Sequence, residues 1–470
     1  MPLRSLLRTI PIEPSPEGEK GGLERRMGTI PLMMLGIGAT VGTGVFFVMH
    51  EAVPVAGPAT VIAFLLAALA AGLSALCYAE MASAVPASGS TYTYAYATLG
   101  ELAAVVVAAC LLLEYGVSTA AVAVGWSGYL NLLLENTVGI AFPAALSANP
   151  WDAAPGILNL PAVILVVLCA LLLMRGVTES ARVNVAMVVI KLAVLLLFAA
   201  VALTAFEADN FADFAPAGAA GVTAAAGTIF FTFIGLDAVS TAGGEAKDPR
   251  RSLPRAILGA LAVVTALYIL VAVAAIGSQP WQAFSDPEQQ SVGLAVIVEN
   301  VTGAAWPGTL LALGAVISIF SVTLVVMYGQ TRVLYTMGRD GLVPKFFAKV
   351  HPRTKTPVNT TIVVAIAVGL LAAFVPLDGL WDLVSIGTLV AFIVVAVAVL
   401  VLRRKRPDLP RGFRVPFGPV IPILSIATCL VVLSGLGLVT FAWFGAWVGV
   451  ALLYYAIWGR KSAARARARD

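Results

Sequence analysis

The feature that most constrains this chain is an apolar run that keeps recurring. Stretches of about 20 residues, enough to cross a bilayer as helix, fall near 30–49, 58–82, 102–130, 157–174, 183–206, 223–243, 255–277, 308–337, 358–375, 379–402, 419–440 and 441–459. Between them no soluble domain of useful size fits, which argues against sensor kinases, ATP-driven pumps and receptors with ligand-binding ectodomains. Composition agrees: 60% of the 470 residues are hydrophobic and 11% are charged, against about 25% charged in soluble domains. The expected fold class is an all-α integral membrane protein with twelve transmembrane helices. The runs at 102–130 and 308–337 are long enough to tilt or to project beyond the membrane.

The positions of the 29 basic residues set the topology. They precede span one (Arg4 to Arg26), join spans four and five (Arg175, Arg182) and join six and seven (Lys247 to Arg255). They follow span eight (Arg332 to Lys355), join ten and eleven (Arg403 to Arg414) and end the chain (Arg460 to Arg469). The alternate loops carry no Lys or Arg, and some carry acids: Glu207, Asp209, Asp213, Asp286 and Glu288. The positive-inside rule then places both termini and every basic loop in the cytoplasm. The net charge of +4 is therefore topological, and no nucleic-acid partner is expected. Residues 1–26 lack a long apolar core and read as a cytoplasmic tail, amphipathic at Leu3, Leu6, Leu7 and Ile10, rather than a cleavable signal. The tail at 460–470 lies near anionic headgroups. The cysteines (Cys77, Cys110, Cys169, Cys429) sit in apolar runs and read as small core residues. His50 and His351 fall at span ends, so neither a metal site nor a cofactor is expected.

Two spans are irregular. Span one carries Gly36, Gly38, Gly42 and Gly44 with Thr40 and Thr43 interleaved, at about 1 kcal/mol per glycine against alanine in a helix. Close helix packing is one way to account for them. The second is a helix that unwinds in mid-membrane, which is tolerated only where the backbone lines a cavity. Glycines on several faces favour unwinding. Span six is interrupted at Gly235 and Asp237, within Phe230-Phe231-Thr232-Phe233-Ile234-Gly235-Leu236-Asp237. Spans one to five and six to ten have nearly equal lengths and opposite directions. Paired broken helices heading inverted five-helix repeats point to a secondary transporter with a site at the membrane midplane. The units are a tail at 1–26, a first repeat at 27–206, a second at 221–402, spans eleven and twelve with their basic loop at 403–459, and a tail at 460–470.

Several motifs then carry a resemblance: Gly36–Gly44, Cys77-Tyr-Ala-Glu80, Pro86-Ala-Ser88-Gly-Ser90-Thr-Tyr92-Thr-Tyr94, Leu113-Glu114-Tyr115-Gly116, Phe233–Thr241 and Tyr328-Gly-Gln-Thr-Arg332 with Arg339-Asp340-Gly341. Together they resemble the amino acid–polyamine–organocation superfamily, and more narrowly the bacterial members of its cationic amino acid transporter family, from about residue 24 to 460. One departure is Gly244-Glu245, where the family usually has a glutamate pair. The resemblance implies a LeuT-like fold of two inverted repeats plus two C-terminal helices, in a bacterial plasma membrane. It implies a substrate carboxylate at Thr43 and Gly44. The ammonium would meet carbonyls around Thr40, Phe231 and Ile234, with Phe231 as a lid; plain aromatic packing is the alternative for Phe231.

Asp237 either caps the half-helix after the break or contacts a cationic substrate. Lys191 lies about 12 Å along span five from its cytoplasmic end, and a basic residue at that depth is a functional candidate, unless it snorkels to the inner surface. It matches the span-five lysine of proton-coupled superfamily members, so sodium coupling is not expected. Glu114, about 20 Å along span three, either joins Lys191 through water or pairs with hydroxyls and tyrosines. Glu80 ends span two as a cap or gate residue, and Asp382 begins span ten as a solvated cap. Small residues on span eight (Gly314, Ala315, Ser318, Ser321, Thr323) suggest a roomy side-chain pocket.

The expected function is import of neutral or cationic L-amino acids by proton symport with alternating access. An amino acid or polyamine exchanger on the same fold is the alternative. An intramembrane enzyme lacks ligands of the H-E-x-x-H kind, and neither it nor a channel is favoured.

Overall fold

The computed structural model describes residues 8–10, 24–151, 156–285, 293–375, 380–434, 436–460 and 462. Leu3, Leu6, Leu7, Asp286, Glu288 and most of both tails lie outside the described residues, as do the side chains of Thr43 and Asp382. The chain runs through α1 (Thr29–Thr40), α2 (Thr43–Ala56), α3 (Thr60–Ala84), α4 (Thr91–Thr98), α5 (Glu101–Val138), α6 (Leu160–Arg175), α7 (Val177–Ala202) and α8 (Gly218–Phe230). It continues through α9 (Ala238–Thr241), α10 (Pro249–Ser278), α11 (Leu294–Thr302), α12 (Trp306–Arg339), α13 (Val358–Phe374), α14 (Leu380–Lys405), α15 (Val420–Ser434) and α16 (Leu438–Tyr454). Eight helical runs among the described residues are long and apolar enough to cross a membrane, and α1, α6, α13 and α15 are shorter apolar helices beside them. At 38 and 34 residues, α5 and α12 are about 57 and 51 Å long, well beyond a hydrocarbon core of about 30 Å.

The core lies where α5 packs on α12 and α14, and where α10 packs on α3 and α1. Outward faces are apolar: Leu69, Leu171, Val189, Ile366, Val431 and Val450 are all exposed. In water such a surface would drive aggregation; in lipid it costs nothing. The four cysteines are buried and unpaired, as small core residues.

Both irregular spans are broken. Span one stops at Thr40, passes Val41 (ψ 94°) and Gly42 (φ −139°, ψ −146°), and resumes at Thr43. Span six tightens into a 3₁₀ turn at Phe231–Phe233, turns extended at Ile234 (ψ 143°) and reverses at Gly235, whose φ is +106°. A Cβ there would also sit 2.9 Å from the Ala39 carbonyl oxygen, so conformation and space both demand glycine. Past the break, span six is not a second half-helix. It is the single turn of α9 followed by a 3₁₀ turn at Gly243–Glu245. The two broken spans lie side by side, α2 on α8 and α1 on α9.

The glycines of span one serve both unwinding and packing. Gly42 forms the break, while Cβ atoms on Gly36, Gly38 and Gly44 would collide with Val239, Asn184 and Thr232 respectively. Close packing therefore operates on several faces at once.

Two buried carboxylates, Glu80 and Glu245, form ion pairs that tie the end that carries the basic loops, Glu80 with Arg403 and Arg411 and Glu245 with Arg332. Glu80 accepts from Arg403 Nε and Nη2 (2.9 and 2.5 Å) and from the Val415 amide (2.7 Å). Glu245 accepts from Arg332 Nε (2.9 Å) and from the Tyr328 hydroxyl (2.7 Å), and the guanidinium stacks 4.0 Å over the Tyr328 ring. The amides of Arg26 and Met27 donate to the Glu245 carbonyl, both at 2.9 Å. At Gly244 a Cβ would lie 2.3 Å from Ser88 Oγ, so any side chain there would crowd Ser88. Glu245→Gln alone is expected to cost about 3–5 kcal/mol, because it strands the Arg332 charge in the interior. The double variant Glu245→Gln with Arg332→Met should lose less. Thermal unfolding in detergent checks both.

Candidate functional site

Breaking a helix inside a membrane releases carbonyls that need donors where water is absent. At the break of span one the donors are side chains of three other helices. Tyr268 of α10 reaches the Thr40 carbonyl at 3.0 Å, and Ser318 of α12 donates to the Val41 carbonyl at 3.0 Å. Lys191 of α7 donates to the carbonyls of Gly38 (2.9 Å) and Val41 (2.6 Å) and to Ser321 Oγ (3.4 Å). Lys191 is fully buried, so it does not snorkel. The Tyr268 hydroxyl also lies 3.1 Å from the Thr232 carbonyl at the other break. One phenol thus holds both irregular segments in register.

A cavity lies between the breaks. Span one contributes Ala39, Thr40, Gly42 and Gly44, and span six contributes Phe231, Thr232, Ile234 and Gly235. α5 adds Glu114, Tyr115, Ser118 and Val122. Val322 and Val326 of α12 and Val384 of α14 complete an apolar side. The cavity is therefore polar where the backbone is broken and apolar opposite.

Of the residues picked from the sequence, Thr40, Gly44, Phe231, Ile234 and Glu114 meet at this cavity. Thr43 begins α2 there, with its side chain outside the described residues. Asp237 does not line the cavity. It precedes α9 without forming a side-chain cap, and accepts instead from the Tyr115 hydroxyl. Lys191 likewise stays off the cavity and grips the break through its carbonyls. Glu114 is buried, and neither of its carboxylate oxygens has a hydrogen-bond partner among the described residues. The small residues of span eight do not make a roomy pocket: Ser318 and Ser321 turn to span one and to Asn184, and valines form the wall.

Sequence reasoning passed over two residues. Tyr268 stands alone as a hydroxyl among Leu267, Ile269 and Leu270, which was the available signal. Asn184 sits at the edge of span five, where a polar residue looks unexceptional, yet it is buried and bonded to the Met34 carbonyl at 3.0 Å. Tyr268→Phe removes the one hydroxyl hydrogen that the Thr40 and Thr232 carbonyls share. It is expected to lower stability by about 1–3 kcal/mol, measured by thermal unfolding in detergent.

The comparisons with known proteins agree with this geometry. Residues 27–458 match the amino acid permease family. The chain is 45% identical to the branched-chain amino acid permease BcaP of Bacillus subtilis, over 94% of this chain and 95% of that one. It is 41% identical to the methylthioribose transporter of the same organism, over 98% and 99%. It is 34% identical to cationic amino acid transporter 4 of Homo sapiens, over 83% of this chain and 61% of the human one. These relatives are permeases and transporters rather than enzymes. A multi-pass membrane protein with two broken spans around a central cavity, this chain belongs to the amino acid permease family of the amino acid–polyamine–organocation superfamily.

Proposed function

We propose that the protein imports L-amino acids across the bacterial plasma membrane by proton symport, through alternating access. The observation that carries the reading is Lys191: a buried ammonium bonded to two carbonyls that the break of span one sets free. A cation site built from backbone is filled here by the protein's own side chain. Gain or loss of one proton at that side chain then changes how firmly span one is held. Protonated Lys191 favours the substrate-accepting arrangement; deprotonation toward the cytoplasm loosens the break and releases proton and substrate together.

In this reading the substrate lies between the breaks. Its carboxylate meets the first amides of α2 at Thr43 and Gly44, orphan donors at the positive end of a helix. Its ammonium meets the carbonyls around Thr40, Phe231 and Ile234, each of which has a lone pair to offer beyond any bond it already accepts. Phe231 closes over it. The side chain points to Val122, Val322, Val326 and Val384, which suits an apolar, branched group. The branched-chain amino acid permease among the relatives supports that preference. Glu114, unpaired beside this wall, accommodates a basic side chain or takes part in coupling. Asp237 acts through Tyr115 rather than on the substrate. The whole is read as twelve transmembrane helices, two inverted five-helix repeats at 27–206 and 221–402 in a LeuT-like fold, with two further helices at 403–459. Both termini are cytoplasmic.

Liposomes containing the protein test the mechanism, with labelled leucine, alanine, arginine and methylthioribose under an inward proton gradient. Wild type should accumulate leucine, whereas Lys191→Ala should lose accumulation and keep exchange. Accumulation driven equally by sodium and indifferent to pH would overturn the reading, and exchange alone in wild type would favour an antiporter. Gly44→Ala places a Cβ 2.9 Å from Thr232 Cγ2. It should raise KM about tenfold, near 1.4 kcal/mol of lost binding, in the same uptake assay.

A further inference from the structure

We infer that Asn184 is a positioning residue for the coupling lysine, acting through the hydroxyl of Ser321. The inference rests on the proposed proton symport and adds to it what determines the charge state of Lys191.

An ammonium has three N–H donors and no acceptor. Lys191 has three acceptors: the carbonyls of Gly38 and Val41, and Ser321 Oγ. Carbonyls can only accept, but a hydroxyl can face either way. Asn184 settles which way it faces. Its Nδ2 donates to the Met34 carbonyl at 3.0 Å, which orients the amide and presents Oδ1 to Ser321. Ser321 donates to that Oδ1 at 2.8 Å, so its hydrogen is committed and its lone pairs face Lys191. Asn184 is itself held in place, for Gly38 leaves room for it and a Cβ there would lie 2.7 Å from Oδ1.

A neutral amine has a lone pair that needs a donor. Of the two serine hydroxyls at this junction, Ser321 is engaged with Asn184 and Ser318 with the Val41 carbonyl. The network therefore matches lysine in its charged form and mismatches the neutral one. No acid contributes: among the described residues Lys191 forms no ion pair and no hydrogen bond to an ionisable group. On the helices packed around α7, Arg175, Arg250, Arg251, Arg255 and Arg339 are exposed at the ends that carry the basic loops, Tyr335 is buried one turn from that end of α12, and Cys169 of α6 reaches the Phe320 carbonyl. Tyr268 of α10 bonds the Thr40 and Thr232 carbonyls, and Tyr328 and Arg332 of α12 bond Glu245. Glu299 of α11 lies against Gly308.

Without the amide acceptor, Ser321 is free to turn and donate to the amine. Asn184→Leu should therefore move half-maximal proton-driven uptake about one unit toward acid, with exchange at low pH retained. Ser321→Ala removes the third acceptor and should shift the profile the same way. Asn184→Asp keeps an acceptor for Ser321 and adds a negative charge beside the buried ammonium, which favours its charged form, so its profile should not move toward acid. Because the two residues act as one unit, the double variant Asn184→Leu with Ser321→Ala should shift no further than the larger single. An unmoved profile in Asn184→Leu, or additive shifts in the double variant, would overturn the inference and leave symport standing. If Asn184→Leu does not fold, the Ser321→Ala profile decides alone: no shift overturns it. Wild type that accumulates nothing under a proton gradient would remove the symport reading, and this inference with it.

Discussion

Everything at the centre of the molecule depends on where the carbonyls of residues 38 to 41 find their donors. A straight helix would satisfy them internally. Once Val41 and Gly42 leave helical geometry, each unpaired carbonyl in a dry interior costs a few kcal/mol. Lys191, Tyr268 and Ser318 supply the donors from three different helices. The break is therefore not a weak point in span one. It is a junction where α7, α10 and α12 take hold of one short stretch, at Gly38, Thr40 and Val41.

That junction has two sides with different chemistry. Ala39, Thr40 and Gly42 look into the cavity with the broken stretch of span six, whereas the carbonyls of Gly38 and Val41 face Lys191. A ligand can shift a conformational equilibrium only by its difference in affinity between states. In the proposed symport, substrate and proton would act on one another because both would act on residues 38 to 42, from opposite sides, without touching each other. Coupling of this kind needs no chain of intermediates, only a short segment with two ways of being held.

The all-helical membrane character, the two breaks and the isolation of Lys191 were legible in the sequence because each violates a strong expectation, whereas of the twelve spans expected eight are long and apolar enough to cross among the described residues. Repeated runs of about 20 apolar residues are hard to reconcile with a water-exposed fold, glycines at 36, 38, 42 and 44 are costly, and a lysine in hydrocarbon needs a reason. What the sequence hid was direction. Adjacent helical residues point about 100° apart, so it could not tell that Glu114 faces the cavity while Tyr115 turns its hydroxyl to Asp237. The same limit misread span eight, whose serines brace span one and whose valines form the wall. Valines are too common in such helices to announce a pocket. Asn184 was hidden by position, since polar residues near a span end are usually solvated.

The end of the bundle with the basic loops follows from the same constraint. Glu245 comes just after span six, Arg332 and Tyr328 belong to span eight, and the Glu245 carbonyl takes two amides from the stretch leading into span one. So the two broken spans and the span-eight helix that braces one of them are tied again at this end, through one residue. To part there, the chain must separate a buried ion pair from its partner and free two backbone amides in the same motion. Each loss alone is large on the scale of a single contact, and together they favour a closed arrangement that opens as a unit rather than by fraying. Gly244 belongs to that packing: a Cβ there would lie 2.3 Å from Ser88 Oγ, so glycine lets the chain pass close to Ser88 on its way to Glu245.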